Sequence, residues 1–216
     1  MKQFAVIGLG RFGSSLARTL NKMGYEVLAI DADENKVESL VDSVTHAVQA
    51  NALEEQALKG LGVRNFDVVV VAIGQEIQSN ILVTLMLKEM GVKKVVAKAS
   101  TELQGKVLQK IGADIVVFPE RDMGERVARS LVSRNIIDQI NLSADFSLVE
   151  LSAPEEITGR TLQESNLRKK YGVTLLAIRR GKDIIISPGA RQMVEEGDVL
   201  IVIGGNEKLK NFETVI

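Results

Sequence analysis

A hexapeptide with three glycines, Gly8-Leu9-Gly10-Arg11-Phe12-Gly13, follows the β-branched run Phe4-Ala5-Val6-Ile7 and precedes a stretch in which Leu16, Leu20 and Met23 recur at helical spacing. In a strand-to-helix connection, the first glycine permits a tight turn, the second lets an anion approach the backbone, and the third permits close packing of the helix. The helix start then presents N–H groups that have no intrahelical partner. Asp31 ends the next apolar run, 23 residues after Gly8, where a carboxylate accepts hydrogen bonds from both hydroxyls of a ribose. An acid there also repels a 2′-phosphate, which disfavours NADP. The other reading of the three glycines is a turn in a site that has lost its ligand.

The same rhythm continues downstream. Val27 to Ile30, Ala47-Val48, Val68 to Val71, Val95 to Ala97 and Ile115 to Val117 read as further strands, and glycines at 24, 62, 91 and 112 follow the intervening helices as stop signals. Strands alternating with amphipathic helices imply a Rossmann-like, doubly wound parallel sheet covered on both faces. After Pro119 a longer helical stretch runs through Val127, Leu131 and Ile137. The pattern then changes to strands at Ser147 to Leu151, Thr174 to Ile178, Ile184 to Ile186 and Val199 to Ile203, with a hairpin-like connection at Arg180-Gly181-Lys182-Asp183. The expected division is a nucleotide-binding domain over residues 1–135 and a small α+β domain over residues 136–216, with the boundary near Asn135. The fold class is α/β.

Composition excludes several functions. Lysine plus arginine number 27 against 28 acidic residues, so no overall field gathers nucleic acid. With no cysteine there is no disulfide framework, thiolate metal site or cysteine nucleophile. A strand beginning at Gln3 leaves no room for a signal peptide, and the longest apolar run, Val68 to Ile73, falls far short of the ~20 residues that span a bilayer. The expectation is a cytoplasmic protein that does not insert into a membrane.

The inventory for an oxidoreductase is thin. The one histidine, His46, starts a short strand with no acidic neighbour in sequence, and neither Tyr25 nor Tyr171 is followed by a lysine four residues on. A second domain of about 80 residues is small for a substrate domain. Binding without turnover is favoured over an NAD-dependent oxidoreductase, which stands as the alternative.

Several further motifs stand in order along the chain: Asp31-Ala32-Asp33, Val71-Ala72-Ile73-Gly74, Ile111-Gly112-Ala113-Asp114, Pro119-Glu120-Arg121-Asp122-Met123-Gly124 and Arg168-Lys169-Lys170-Tyr171-Gly172. With the glycine turn, they make the whole chain resemble the RCK regulatory subunits of Ktr/Trk potassium uptake systems. The resemblance implies a cytoplasmic homo-oligomer, from a dimer to an octameric ring. Such a ring docks on a separate membrane subunit that translocates potassium and gates it according to whether ATP, ADP or NAD is bound.

Carried onto this sequence, the resemblance gives the phosphate loop as Gly8, Gly10, Arg11, Phe12 and Gly13, with Arg11 on a phosphate, and the ribose to Asp31 and Asp33. Asn51 and Ala52 follow the third strand, where the family holds the adenine, and Ile73, Gly74 and Lys98 end the fourth and fifth strands on the same edge of the sheet. Glu120 stands where the family places a carboxylate near the nucleotide phosphates of the neighbouring subunit and binds a divalent cation, Mg or Ca. Plainer readings stand beside these: a solvated Arg11, a helix cap at Asp33, and at Glu120 an acid favoured by the helix dipole. In the second domain the family binds cyclic di-AMP, and Arg168 matches the arginine used there; its other reading is an exposed residue near a helix end. Thr174 departs from the family's asparagine, keeping a hydroxyl but losing the amide's paired donor and acceptor.

Overall fold

A computed structural model describes residues 2–132 and 136–214. The chain divides into two compact units, Met1–Asp122 and Met123–Ile216. The boundary expected at Asn135 lies outside the described residues.

The first unit contains β1 (Gln3–Ile7), α1 (Arg11–Lys22), β2 (Glu26–Asp31), α2 (Glu34–Glu38), β3 (His46–Gln49), α3 (Glu55–Gly60), β4 (Val68–Val71), α4 (Ile77–Glu89), β5 (Val95–Lys98), α5 (Glu102–Lys110) and β6 (Ile115–Val117). All six strands are parallel, in the order β3-β2-β1-β4-β5-β6. The chain therefore reverses its direction of sheet growth between β1 and β4, and the ends of these two strands define the crevice where such sheets take ligands.

The strands are near-continuous aliphatic runs because both faces are covered. Successive side chains point to opposite faces, so each strand feeds two cores. Ala5, Ile7, Leu28, Ile30, Val69 and Val71 pack on one side with Leu58, Val83 and Leu87 of α3 and α4. Val6, Val27, Ala29 and Val70 pack on the other with Ala17 and Val37 of α1 and α2. The glycines expected to stop helices, at 24, 62, 91 and 112, all have positive φ.

Helix α6 (Pro119–Val132) leads out of the sheet, its last residues belonging to the second unit. The helical stretch expected to extend through Ile137 ends sooner. Ile137 instead lies on β7 (Ile136–Asn141), which pairs antiparallel with β8 (Phe146–Ser152). The isoleucines of Ile136-Ile137-Asp138-Gln139-Ile140-Asn141 favour a strand once an edge is offered, and tertiary pairing overrides helical spacing. The rest of the second unit is α7 (Leu162–Ser165), α8 (Leu167–Tyr171), β9 (Thr174–Arg180), β10 (Asp183–Ile186), β11 (Val199–Gly205) and α9 (Asn206–Thr214). Its antiparallel sheet runs β10-β9-β11-β8-β7. Val149, Leu151, Ile178, Leu200 and Val202 form the sheet side of a core closed by Leu167, Leu209 and Phe212.

Candidate nucleotide-binding site

The glycine turn leaves β1 with the Gly8 N–H donating to Ile30 O at 2.8 Å. Gly8 has φ +94°, and a Cβ there would lie 2.8 Å from Ile73 N. At Gly13 a Cβ would lie 1.9 Å from Gly8 O, so helix and turn touch backbone to backbone. Gly10 differs from both: its φ of −66° suits any residue, and a Cβ would meet nothing within 4 Å. The protein's own packing dictates Gly8 and Gly13. Nothing within the protein requires the missing side chain at Gly10, which leaves the uncapped first turn of α1 open to an approaching group.

Asp31 closes one side of this turn. Its Oδ2 accepts the Leu9 N–H at 2.6 Å and its Oδ1 accepts the Asp33 N–H at 2.9 Å, with Lys36 Nζ at 3.4 Å. Ser14 Oγ donates to Leu9 O at 2.7 Å, so both polar groups of the Leu9 backbone are held. Asp33 caps α2, its Oδ1 accepting the Asn35 N–H at 3.1 Å. The cap reading of Asp33 is thus realised, and its Oδ2 lies 3.7 Å from Lys36. Arg11 is exposed at the start of α1, and Phe12 packs at the margin of the core beside that helix. After β3, Asn51 Oδ1 accepts the Leu53 N–H at 3.1 Å and its amide donates to Glu54 Oε1 at 3.1 Å, while Ala52 is buried.

The far side of the crevice comes from β4, β5 and the start of α6. Ile73 and Gly74 follow β4, and a Cβ on Gly74 would lie 3.1 Å from Lys98 Nζ. Lys98 ends β5, is buried, and pairs with Glu120 Oε1 at 2.6 Å. The Lys98 hydrogen bond holds the Glu120 carboxyl below its usual range against a smaller opposing effect of burial, and the positive field of Arg11 adds to the lowering. Arg11, Lys98 and Glu120 are thus electrostatic neighbours although 87 and 22 positions separate them in sequence. Among the described residues no three or more acidic or histidine side chains gather to hold a metal ion.

Sequence reasoning missed Asn80. It is fully buried in α4, and its Nδ2 donates to Ile73 O at 2.7 Å and Lys98 O at 3.1 Å, tying the ends of β4 and β5 together. Its Oδ1 is buried without a hydrogen-bond partner. The available signal was an asparagine beside the apolar run of the helix Ile77–Glu89. The residues assigned to a second ligand lie in the other unit: Arg168 is exposed on α8, and Thr174 opens β9 just after Gly172 and Val173.

A six-stranded Rossmann-like sheet with its glycine turn, followed by a small antiparallel-sheet unit, defines an RCK-type protein. Residues 4–119 match the TrkA-N domain and residues 146–216 the TrkA-C domain. The chain is 49% identical over 212 residues to Ktr system potassium uptake protein C of Bacillus subtilis (strain 168), covering 98% of this chain and 96% of that protein. It is 41% identical over 210 residues to Ktr system potassium uptake protein A of Vibrio alginolyticus, covering 97% and 96%. The chain therefore belongs to the TrkA-N/TrkA-C family that includes the Ktr system potassium uptake proteins. Among solved structures it resembles the GsuK RCK domain with TM-score 0.53 and 25% identity, over 99% of this chain and 46% of that one. The GsuK channel bound to NAD gives TM-score 0.53 and 26% identity, over 99% and 38%. The chain thus spans less than half the length of these solved proteins.

Proposed function

We propose that this chain is a regulatory subunit that binds an adenine nucleotide on the glycine turn and, according to which nucleotide is bound, gates a separate potassium-translocating membrane protein. The observation that carries the reading is Gly10: no contact within the protein and no backbone strain requires a glycine there, yet its missing side chain leaves the turn open to phosphate. Asp31 supplies the ribose acceptor, and Arg11 and Lys98 supply positive charge for phosphates. NAD on the GsuK channel supports a dinucleotide as one occupant; ATP and ADP fit the same turn and acid. Ile73, Gly74, Asn51 and Ala52 border the base and sugar.

Regulation without turnover is supported by where the histidine and the tyrosine of this unit lie. His46 starts β3 and Tyr25 precedes β2, so both stand at the edge of the sheet opposite the strand ends that form the crevice. No helix among the described residues is long and apolar enough to cross a membrane; the family resemblance assigns translocation to a partner chain and this subunit to the cytoplasmic side. Exposed Met123, Val127 and Leu131, spaced four apart on α6, and exposed Ile77 and Leu82 on α4 support self-association, as a dimer or a larger ring. A Mg or Ca ion at Glu120 would need further ligands from water, nucleotide or a second copy. Cyclic di-AMP at Arg168 and Thr174 is proposed from the family resemblance.

The test is the nucleotide that copurifies with the full chain, followed by potassium flux through the reconstituted membrane partner with ATP, ADP or NAD. Flux that does not change with the nucleotide sinks the reading. Light scattering should give a mass above the 23.5 kDa of one chain.

A further inference from the structure

Lys98 and Glu120 form an ion pair whose two partners are held very differently. The Lys98 side chain is only 10% exposed, and that of Glu120 is 63% exposed. Lys98 is fixed at both ends. Its carbonyl accepts from Asn80, and its ammonium lies so close to the Gly74 backbone that a Cβ on Gly74 would touch it. Glu120 sits in the first turn of α6 and can rotate into water. A buried ammonium left without an anion is strongly disfavoured, whereas an exposed carboxylate that leaves a pair is rehydrated at little cost. Any exchange at this pair therefore moves the glutamate and keeps the lysine in place.

The carboxylate also occupies the spot an anionic ligand would want. It lies within the field of Arg11, at the start of α1, and against Lys98, on the opposite side of the switch point between β1 and β4. Two cations, one at the start of α1 and one at the end of β5, act on one movable negative charge. We propose that Glu120 is an internal stand-in for a ligand phosphate: it neutralises Lys98 until a nucleotide binds, and the outermost phosphate then takes Lys98 and turns the carboxylate out to solvent. The inference rests on the nucleotide reading above. It makes Lys98 the group that reports phosphate and Glu120 a competitor that weakens every phosphate-bearing ligand. The exchange is complete in charge, one anion replacing another on the same ammonium. The released carboxylate becomes available to a divalent cation only after the phosphate has arrived.

Calorimetry on the full chain in the presence of a chelator, with adenosine, ADP and ATP as probes, tests the exchange. Glu120→Gln should bind ADP and ATP about 10-fold more tightly than the unaltered chain and leave adenosine unchanged. Lys98→Met should weaken both nucleotides, and in the Lys98→Met, Glu120→Gln double variant the glutamine should add less than about twofold, because the effect of Glu120 passes through Lys98. Thermal melting of Glu120→Gln should show lower stability without ligand and a larger upward shift with ADP than the unaltered chain. Unchanged or weaker ADP and ATP binding by Glu120→Gln in chelator overturns the exchange while leaving the nucleotide site standing. If the unaltered chain binds neither ATP, ADP nor NAD, the exchange and the nucleotide reading fall together.

Discussion

The Asp31 carboxylate at the end of β2 accepts the Leu9 backbone N–H at 2.6 Å, so the acid that would read the ribose also holds the glycine turn in shape. One oxygen faces the turn and the other accepts the Asp33 N–H. This dual employment makes position 31 sensitive to both loss of charge and loss of shape.

Asp31→Asn should therefore weaken ADP and NAD by about 1.5–3 kcal/mol, roughly 10- to 150-fold, since hydrogen bonds to a charged group are replaced by bonds to a neutral one. In the unaltered chain NADP should bind more weakly than NAD, because its 2′-phosphate meets a carboxylate. Titration calorimetry with NAD and NADP checks both statements, and tighter binding of NADP contradicts the role given to Asp31.

The three glycines should separate by mechanism. Gly13→Ala forces a Cβ to within 1.9 Å of Gly8 O and should cost about 3 kcal/mol of stability, as a backbone clash that no rotamer relieves. Gly10→Ala meets no atom of the protein and should cost less than about 1 kcal/mol, the difference between glycine and alanine as a helix cap. It should nevertheless abolish most nucleotide affinity. Chemical denaturation and calorimetry on the two variants distinguish a structural glycine from one that serves a ligand.

Arg11 and Lys98 would present different chemistry to a phosphate chain. The planar guanidinium takes two oxygens at once, whereas the ammonium is a point charge. Arg11→Ala should weaken ATP more than ADP, by up to about 1.5–3 kcal/mol if its bonds are made with the third phosphate. Channel activity should then become insensitive to which of the two is present. Equal losses for ATP and ADP, with ATP-dependent flux retained, would place the discriminating contact elsewhere.

The second unit carries its own buried charge. Asp198 has no exposed side-chain surface; Arg180 donates to its two oxygens at 2.8 Å each and also pairs with Glu195. The hydrogen bonds from Arg180 hold the Asp198 carboxyl below its ordinary value of 3.8, against the opposing effect of burial. Arg180→Met should destabilise this unit by about 3–5 kcal/mol near neutral pH, by leaving a buried carboxylate without its counterion. A carboxyl lowered on folding contributes stability above its unfolded pKa and loses it as pH falls through the folded one. The gap between the unaltered chain and Arg180→Met should therefore narrow below about pH 4, as measured by urea unfolding at stepped pH.

The parallel sheet, the glycine turn and its acid were legible because each is a local matter. Continuous aliphatic runs, glycines at helix stops, and an acid at a strand end are written in neighbouring residues. Ile137 was misjudged because the helical spacing of Val127 and Leu131 was carried on to it, although its offset from Leu131 puts it on another helix face, while the partner that makes it a strand, β8, lies further along the chain. The role of Asn80 was not legible for a related reason. Its purpose is to bridge the carbonyls of Ile73 and Lys98, which meet only when β4 and β5 pair. The sequence by itself determined which residues reach the crevice edge, since strand ends and turn chemistry set that. Only the tertiary structure decided how the distant ones are paired: Asp31 on Leu9 and Lys98 on Glu120. Those pairings depend on distances of a few ångströms between strand ends, which follow from sheet order and side-chain burial and from no spacing along the chain.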